Sequence, residues 1–187
     1  MIDLSEKQKE KELIRHLRDT HDLGERGLGP YYFVNRIAGT RISPDIDMLT
    51  ISSDTNYLHI VNGYEFKLLH YKTNAANYKA LYQGVGQALL YFWHGLDRSY
   101  LVLGVSKEIS EKRERQLLSK LYDSAMLFEA LRVYFGFNCF GVYVWRERDD
   151  SLRLESSKVK GVLPWKADDI VLKRQNLLKG NFDYRTL

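Results

Sequence analysis

The stretch SPDIDMLTISSDTNYLHIVNGYEFKLL, from Ser43 to Leu69, carries the clearest indication of the fold of this chain. A proline and two aspartates lead into an apolar run at 46–52, and a longer apolar run follows at 57–69. The polar residues 53–56 between the two runs are typical of a turn. Two strand-like runs around a polar turn predict a β-hairpin.

Besides Asp54 in the turn, four charged residues lie in or beside the two apolar runs, and a charge within a buried strand is costly unless something holds it. Side chains two residues apart on a strand share a face, so Asp45 and Asp47 point one way, and Glu65 and Lys67 do likewise. If the two strands pair, the acids and the lysine converge at one end of the sheet. Carboxylates at that distance repel each other, and Mg²⁺, or Mn²⁺ as its substitute, relieves the repulsion.

The rest of the chain alternates apolar runs with amphipathic segments, which predicts further strands and helices. The predicted helices cover about 6–20, 74–94, 111–134 and 168–178, the further strands about 99–106 and 137–145, and 31–38 is a strand or a connector. This order predicts an α/β fold with a mixed central β-sheet flanked by helices. We expect a core domain over 1–150 and a basic C-terminal extension over 151–187, packed on the core or trailing it.

Composition narrows the class of protein. The 187 residues are 44% hydrophobic with a formal net charge of +4, which suits a folded domain with an anionic partner such as nucleic acid. The single cysteine, Cys139, excludes an intrachain disulfide and a cysteine-rich metal cluster, and its apolar neighbours predict a buried thiol. No apolar run approaches the roughly 18 residues that span a membrane, so we expect a soluble, cytoplasmic protein with no membrane partner.

Two motifs carry a resemblance to a known family. Pro44-Asp45-Ile46-Asp47, followed by a hairpin that ends in Glu65-Phe66-Lys67, resembles the PD-(D/E)XK nuclease superfamily. In the next helix, Gln87 and Tyr91 are similar to the Q-x-x-x-Y signature of its RecB-like branches. The resemblance covers about residues 6–106, and the longer gap between Asp47 and Glu65 departs from compact members.

The resemblance implies a restriction-endonuclease-like core and a Mg²⁺-dependent nuclease that hydrolyses phosphodiester bonds in DNA. It implies that Asp47 and Glu65 bind the metal, while Lys67 helps to activate water or stabilises the charged phosphate. Gln87 and Tyr91 would orient the lysine, a ligand or a phosphate. Asp45 is either a supporting ligand or the acid of a turn, and Asp47 is favoured because an apolar strand follows it directly.

Further candidates lie on the helices. Glu10 falls on the centre line of the apolar stripe of the first helix and is our candidate for a fourth acid at the metal; the alternative is a solvated glutamate in a frayed turn. Gln83 shares a polar stripe with Gln87, Tyr91 and His94 and is a candidate contact to DNA. Lys112 and Arg113 are candidate phosphate contacts, although such basic groups usually form a solvated face.

Other functions remain open at this point. A catalytically inactive nucleic-acid-binding or assembly protein with the same fold is the main rival, and an RNA or small-molecule phosphodiesterase is a third interpretation. The resemblance also allows a homodimer, since resolvases and many restriction enzymes act as dimers. The chain has no phosphate-binding G-x-x-x-x-G-K-[ST] loop, which excludes a built-in P-loop ATPase.

Overall fold

The computed structural model of the chain describes residues 6–21, 23, 32–37, 45–53, 59–70, 74–120, 139–155 and 168–186. The helices in these ranges are α1 (Glu6–His21), α2 (Asn74–Trp93), α3 (described over 111–120) and α4 (Asp168–Leu178). The strands are β1 (Tyr32–Ile37), β2 (Ile46–Ser53), β3 (His59–Leu69), β4 (Arg98–Val105), β5 (Phe140–Arg146), β6 (Ser151–Leu154) and β7 (Phe182–Thr186). None of the described helices combines the length and the apolar character needed to cross a membrane.

All of these strands join one mixed sheet in the order β6-β5-β4-β3-β2-β1-β7. β3, β4 and β5 run parallel in its middle, and the other neighbours are antiparallel. β3 and β4 are buried along nearly their whole length, which explains why both contain almost continuous apolar runs. The predicted α/β class, with a mixed sheet flanked by helices, is confirmed.

The two faces of the sheet are covered by different helices. α1 buries its predicted apolar stripe, Leu13, Ile14 and Leu17, on the face that carries Phe66. α2 and α3 cover the opposite face, where the core cluster includes Leu81, Ala88, Phe92, Leu101, Leu103, Leu117 and Cys139. Because alternate residues of β3 point to opposite faces, Glu65 and Lys67 lie on the α2 side.

Gly95 ends α2. The N–H of Leu96 donates to the carbonyl of Tyr91, and the N–H of Gly95 donates to the carbonyl of Phe92, which is a Schellman motif. Gly95 has a φ of 90°, a conformation that suits glycine. The helix therefore stops at Trp93, one residue before the predicted end.

An ion pair fastens α4 to the sheet. The guanidinium of Arg174 donates to both carboxylate oxygens of Asp97 at 2.9 Å, and Asp97 Oδ2 also accepts a 2.8 Å bond from the N–H of Val61. Close approach is possible because residue 95 is glycine: a Cβ there would lie 2.6 Å from the backbone nitrogen of Arg174. The predicted helix at 168–178 is thus present and docked beside the start of β3.

The sequence did not predict the two strands that the C-terminal stretch contributes, β6 and β7. β6 follows a tight turn in which Asp150 has a φ of 47°. Both strands are short edge strands in which apolar and polar residues alternate. β7 pairs with β1, so that Tyr32 lies opposite Thr186. Alternation over four or five residues is too short to identify a strand, and a partner that distant in the sequence leaves no local sign of the pairing. The described part of 151–187 is therefore built into both edges of the sheet.

Candidate active site

Asp47 and Glu65 face each other across the β2–β3 hairpin. Met48 pairs with Tyr64 in this antiparallel ladder, and one further step of the same register sets Asp47 opposite Glu65. Directly opposed residues of an antiparallel pair project from the same face of the sheet. The N–H of Phe66 donates to Asp47 Oδ2 at 2.8 Å, which holds this carboxylate beside Glu65.

Lys67 pairs with the same glutamate. Its Nζ lies 2.5 Å from Glu65 Oε1, and the side chain of Glu65 is almost fully buried while that of Lys67 is mostly buried. Burial acts to lower the pKa of Lys67, but the negative charges of Glu65 and Asp47 outweigh it and raise that pKa above its ordinary value. Lys67 is therefore held as an ammonium ion at neutral pH.

Tyr91 approaches Glu65 from α2. Its hydroxyl donates to Glu65 Oε2 and lies 3.2 Å from the backbone carbonyl oxygen of Asp45. The side chain is fully buried. Burial and the charge of Glu65 raise the pKa of Tyr91 well above its ordinary value, so the hydroxyl keeps its proton and remains a donor.

Two glycines allow α2 to lie this close to the sheet. A Cβ at Gly84 would come within 2.7 Å of Leu101 Cδ1 and 2.8 Å of Lys67 Cγ. A Cβ at Gly63, in the middle of β3, would meet the ring of Tyr91 at 2.9 Å. The role of Gly63 was not predicted, although a glycine inside a strand is a known sign of close approach by another part of the chain.

The electrostatics of the cluster favour added positive charge. Burial, reinforced by the charge of Glu65, raises the pKa of Asp47 to about 8 despite the hydrogen bond from Phe66 and the nearby Lys67. Burial also raises the pKa of Glu65. Glu10, from α1, adds to the negative potential at Asp47, Glu65 and Lys67. A cation placed among these carboxylates would keep them ionised.

An open cleft of about 590 Å³ adjoins the cluster. Glu10 and Lys67 line it together with Gln83 and Gln87, both of which are exposed on α2. The residues of the predicted polar stripe of α2 therefore differ in their surroundings. Gln83 and Gln87 face the open cleft, whereas Tyr91 is buried against Glu65. Because Lys67 lines the cleft, a ligand that enters it can contact Lys67.

Several predicted site residues lie at the margin of this centre or away from it. Asp45 is exposed, and what reaches Tyr91 is its backbone carbonyl. Lys112 and Arg113, on α3, are not among the residues that line the cleft. The guanidinium of Arg113 is stacked 5.9 Å from the ring centroid of Tyr78, and its Nη1 donates to a neighbouring glutamine. The structure brings together Asp47, Glu65, Lys67 and Tyr91, with Glu10, Gln83 and Gln87 at the rim.

A second group of ligand-type side chains was not foreseen from the sequence. Among the described residues, His16, His21 and Asp150 place three ligand atoms within 4.8 Å of one another. Glu10, Asp47 and Glu65 do not form so tight a group. No sequence signal joins His16 and Asp150, because 134 positions separate them and a turn brings them together.

No family model, curated protein or solved structure matches the chain.

Proposed function

We propose that the chain is a nuclease dependent on Mg²⁺ or Mn²⁺, with a restriction-endonuclease-like core, that hydrolyses phosphodiester bonds in DNA. The observation that supports it best is the opposition of Asp47 and Glu65 on one face of the sheet, with the ammonium of Lys67 paired to Glu65. A buried and a half-buried carboxylate with a lysine beside an open cleft are an arrangement suited to phosphoryl chemistry.

The side chains present fit a hard divalent cation. Mg²⁺ keeps several waters and is commonly held by one or two carboxylates, so Asp47 and Glu65 suffice as protein ligands. Each carboxylate oxygen has more than one lone pair, so Glu65 can still donate to a cation while Lys67 and Tyr91 contact it. Glu10 contributes negative charge at the rim of the cleft. The raised pKa of Asp47, about 8, is what a carboxyl poised to exchange its proton for a metal would have.

A metal bound here would supply a coordinated water of lowered pKa and would neutralise charge on the phosphate. The chain's own residues do the rest. Lys67 retains its proton, so its role is to stabilise negative charge on the phosphate and not to remove a proton from water. Tyr91 fixes the rotamer of Glu65, and the N–H of Phe66 fixes that of Asp47.

The glutamines of α2 complete the proposal. Gln83 and Gln87 are exposed one turn apart on the wall of the cleft that Lys67 also lines. Their amides can donate to phosphate oxygens of a bound strand, which positions the strand without reading its sequence. The net charge of +4 favours a polyanionic substrate.

The test is cleavage by the purified chain with Mg²⁺ or Mn²⁺ on duplex, single-stranded and branched DNA and on RNA. Glu65→Gln and Lys67→Met should each lower the cleavage rate by at least about 100-fold, because each removes a group that acts on the charged phosphate or its metal. The exposed residues Asp183 and Lys179 provide matched controls as Asp183→Asn and Lys179→Met.

Cleavage that survives in Glu65→Gln or Lys67→Met would show that another protein or another site is responsible. Cleavage of RNA but not of DNA would favour the interpretation that the chain is an RNA phosphodiesterase. Binding of DNA without cleavage, and without any dependence on metal, would favour the inactive binding protein.

A further inference from the structure

A cluster of two histidines and one aspartate joins the end of α1 to the turn between β5 and β6. His16 Nε2 lies 2.7 Å from Asp150 Oδ1, and His21 Nε2 lies 2.9 Å from the same oxygen. The indole N–H of Trp145 also donates to it, at 2.7 Å. Three nitrogen atoms therefore converge on one carboxylate oxygen.

Asp150 Oδ1 has fewer lone pairs than it has nitrogen neighbours, so it cannot accept a hydrogen bond along a separate lone pair from each of them. Trp145 can only donate, so its bond to Asp150 is fixed. If both imidazoles also donated, one oxygen would accept three hydrogen bonds. Neutral imidazoles whose Nε2 lone pairs face a carboxylate are instead the ligand arrangement of a transition-metal site.

From this geometry we propose that His16, His21 and Asp150 bind Zn²⁺, separately from the catalytic cleft. Two imidazole nitrogens and one carboxylate oxygen suit Zn²⁺ better than Mg²⁺, which prefers oxygen ligands. Three protein ligands leave the fourth position of a tetrahedral ion for water. Six positions of α1 separate Glu10 from His16, about 9 Å along the helix axis, and none of the three proposed ligands lines the cleft, so this site and the cleft are distinct.

Binding of Zn²⁺ requires the side chains to adjust. Ligand atoms about 2.0–2.1 Å from Zn²⁺ in tetrahedral geometry are about 3.3 Å apart, so Asp150 must move away by roughly 0.5 Å from each imidazole. Rotation of the imidazoles must set their nitrogens, which lie within 4.8 Å of each other, at the same spacing. Asp150 can do so because it lies in a turn and half of its side chain is exposed, whereas the imidazoles are held on α1. The same exposure gives the ion a route from solvent.

The bound ion would link two parts of the chain that are far apart in the sequence. Its ligands come from the last turns of α1 and from the β5–β6 turn, 129 and 134 positions apart. Trp145 would serve as an outer partner that orients the carboxylate. An ion that binds only the folded chain stabilises it in proportion to its affinity.

The experiment uses the full chain freed of metal by EDTA dialysis and then titrated with ZnCl₂ in a calorimeter. One Zn²⁺ per chain is expected, with a higher melting temperature. His16→Ala, His21→Ala and Asp150→Asn should each weaken binding at least tenfold, since even the loss of an outer partner costs about 10–100-fold. Asparagine is the choice at 150 because it tolerates the positive φ of this position.

Matched variants separate this site from other effects. His59→Ala and Asp149→Asn remove the same side-chain types elsewhere and should bind Zn²⁺ as the wild type does. Glu65→Gln should also leave Zn²⁺ binding unchanged, so failure of the proposed nuclease does not affect this test.

Imidazole resonances of the wild type provide a measurement that needs no variant. Zn²⁺ should shift those of His16 and His21 and leave those of His59, His70 and His94 in place. No binding by the wild type would overturn the proposal. So would unchanged affinity in all three ligand variants, or resonance shifts confined to the other histidines.

Discussion

The hydroxyl of Tyr91, on α2, donates a hydrogen bond to the buried carboxylate of Glu65, on β3. The same carboxylate is paired with Lys67 through its other oxygen. The position of α2 against the sheet therefore controls the geometry of both charged groups. A change that moves or weakens this contact should affect both the proposed chemistry and the free energy of unfolding.

Tyr91→Phe keeps the buried ring and removes the hydroxyl. A hydroxyl has one proton, so the variant loses a single hydrogen bond to a charged acceptor. Its free energy of unfolding, measured in urea, should be about 1.5–3 kcal/mol lower than that of the wild type. DNA cleavage should fall with little change in the apparent affinity for DNA, since the hydroxyl is buried. Tyr82→Phe is the control, because Tyr82 is 56% exposed. Equal stability of the two variants would contradict the contact.

Gly84→Ala tests the close approach of α2 to Lys67. The added methyl group would overlap Leu101 and the stem of Lys67, so we expect a loss of about 1–3 kcal/mol in unfolding free energy and weaker cleavage. Gly86→Ala is a control on the same helix, where a Cβ would meet nothing within 4 Å. Because alanine favours a helix over glycine, that variant should gain up to about 1 kcal/mol. The prediction fails if the two substitutions change stability in the same direction.

The raised pKa of Asp47 makes stability depend on pH. The folded chain holds a proton on Asp47 up to a pKa of about 8, while an unfolded chain releases it near the ordinary value of 3.8. The folded state thus binds more protons across this window, so metal-free protein should lose stability as pH rises from about 4 to about 8. Each pH unit in this window lowers the free energy of unfolding by up to about 1.4 kcal/mol, so the total loss should exceed about 2 kcal/mol.

Asp47→Asn is the variant that isolates this carboxyl. Asparagine cannot titrate, so the variant should become more stable relative to the wild type as pH rises, in urea titrations at a series of pH values. Asp183→Asn, on the exposed edge, is the matched control. A constant difference between Asp47→Asn and the wild type across pH would show that Asp47 keeps an ordinary pKa.

A divalent metal ion should offset the loss of stability that the metal-free protein shows as the pH rises. A cation between Asp47 and Glu65 keeps both ionised, so Mn²⁺ should raise the melting temperature at pH 8 and much less at pH 5, where protons compete. Glu65→Gln should reduce the gain at pH 8 to a small fraction, while Asp183→Asn should retain it. EDTA should abolish the gain, and equal gains in Glu65→Gln and the wild type would exclude this site as the origin.

The hairpin could be predicted because its signal is local. Apolar runs around a polar turn identify β2 and β3, and the period of two puts Glu65 and Lys67 on one face. The preference for Asp47 over Asp45 rested on the strand that follows. The N–H of Phe66, which anchors Asp47 in the structure, belongs to the other strand and could not be read from that local pattern.

Other features depend on contacts that periodicity does not encode. Gln87 and Tyr91 lie on one stripe of α2, yet Gln87 is exposed and Tyr91 is buried, because contact with β3 and not helical period decides burial. β7 was missed because its partner, β1, lies about 150 positions earlier. Residues 121–134 of the helix predicted over 111–134 lie outside the described part of the chain.

The pairing of β7 with β1 has a consequence for how the chain is made. During synthesis the outer edge of β1 has no partner among the described strands until residues 182–186 leave the ribosome. An open strand edge is a template for pairing with other chains. A chain shortened before Phe182 should therefore scatter light and sediment as aggregates where the full chain does not, and nascent chains stalled at that length should recruit chaperones.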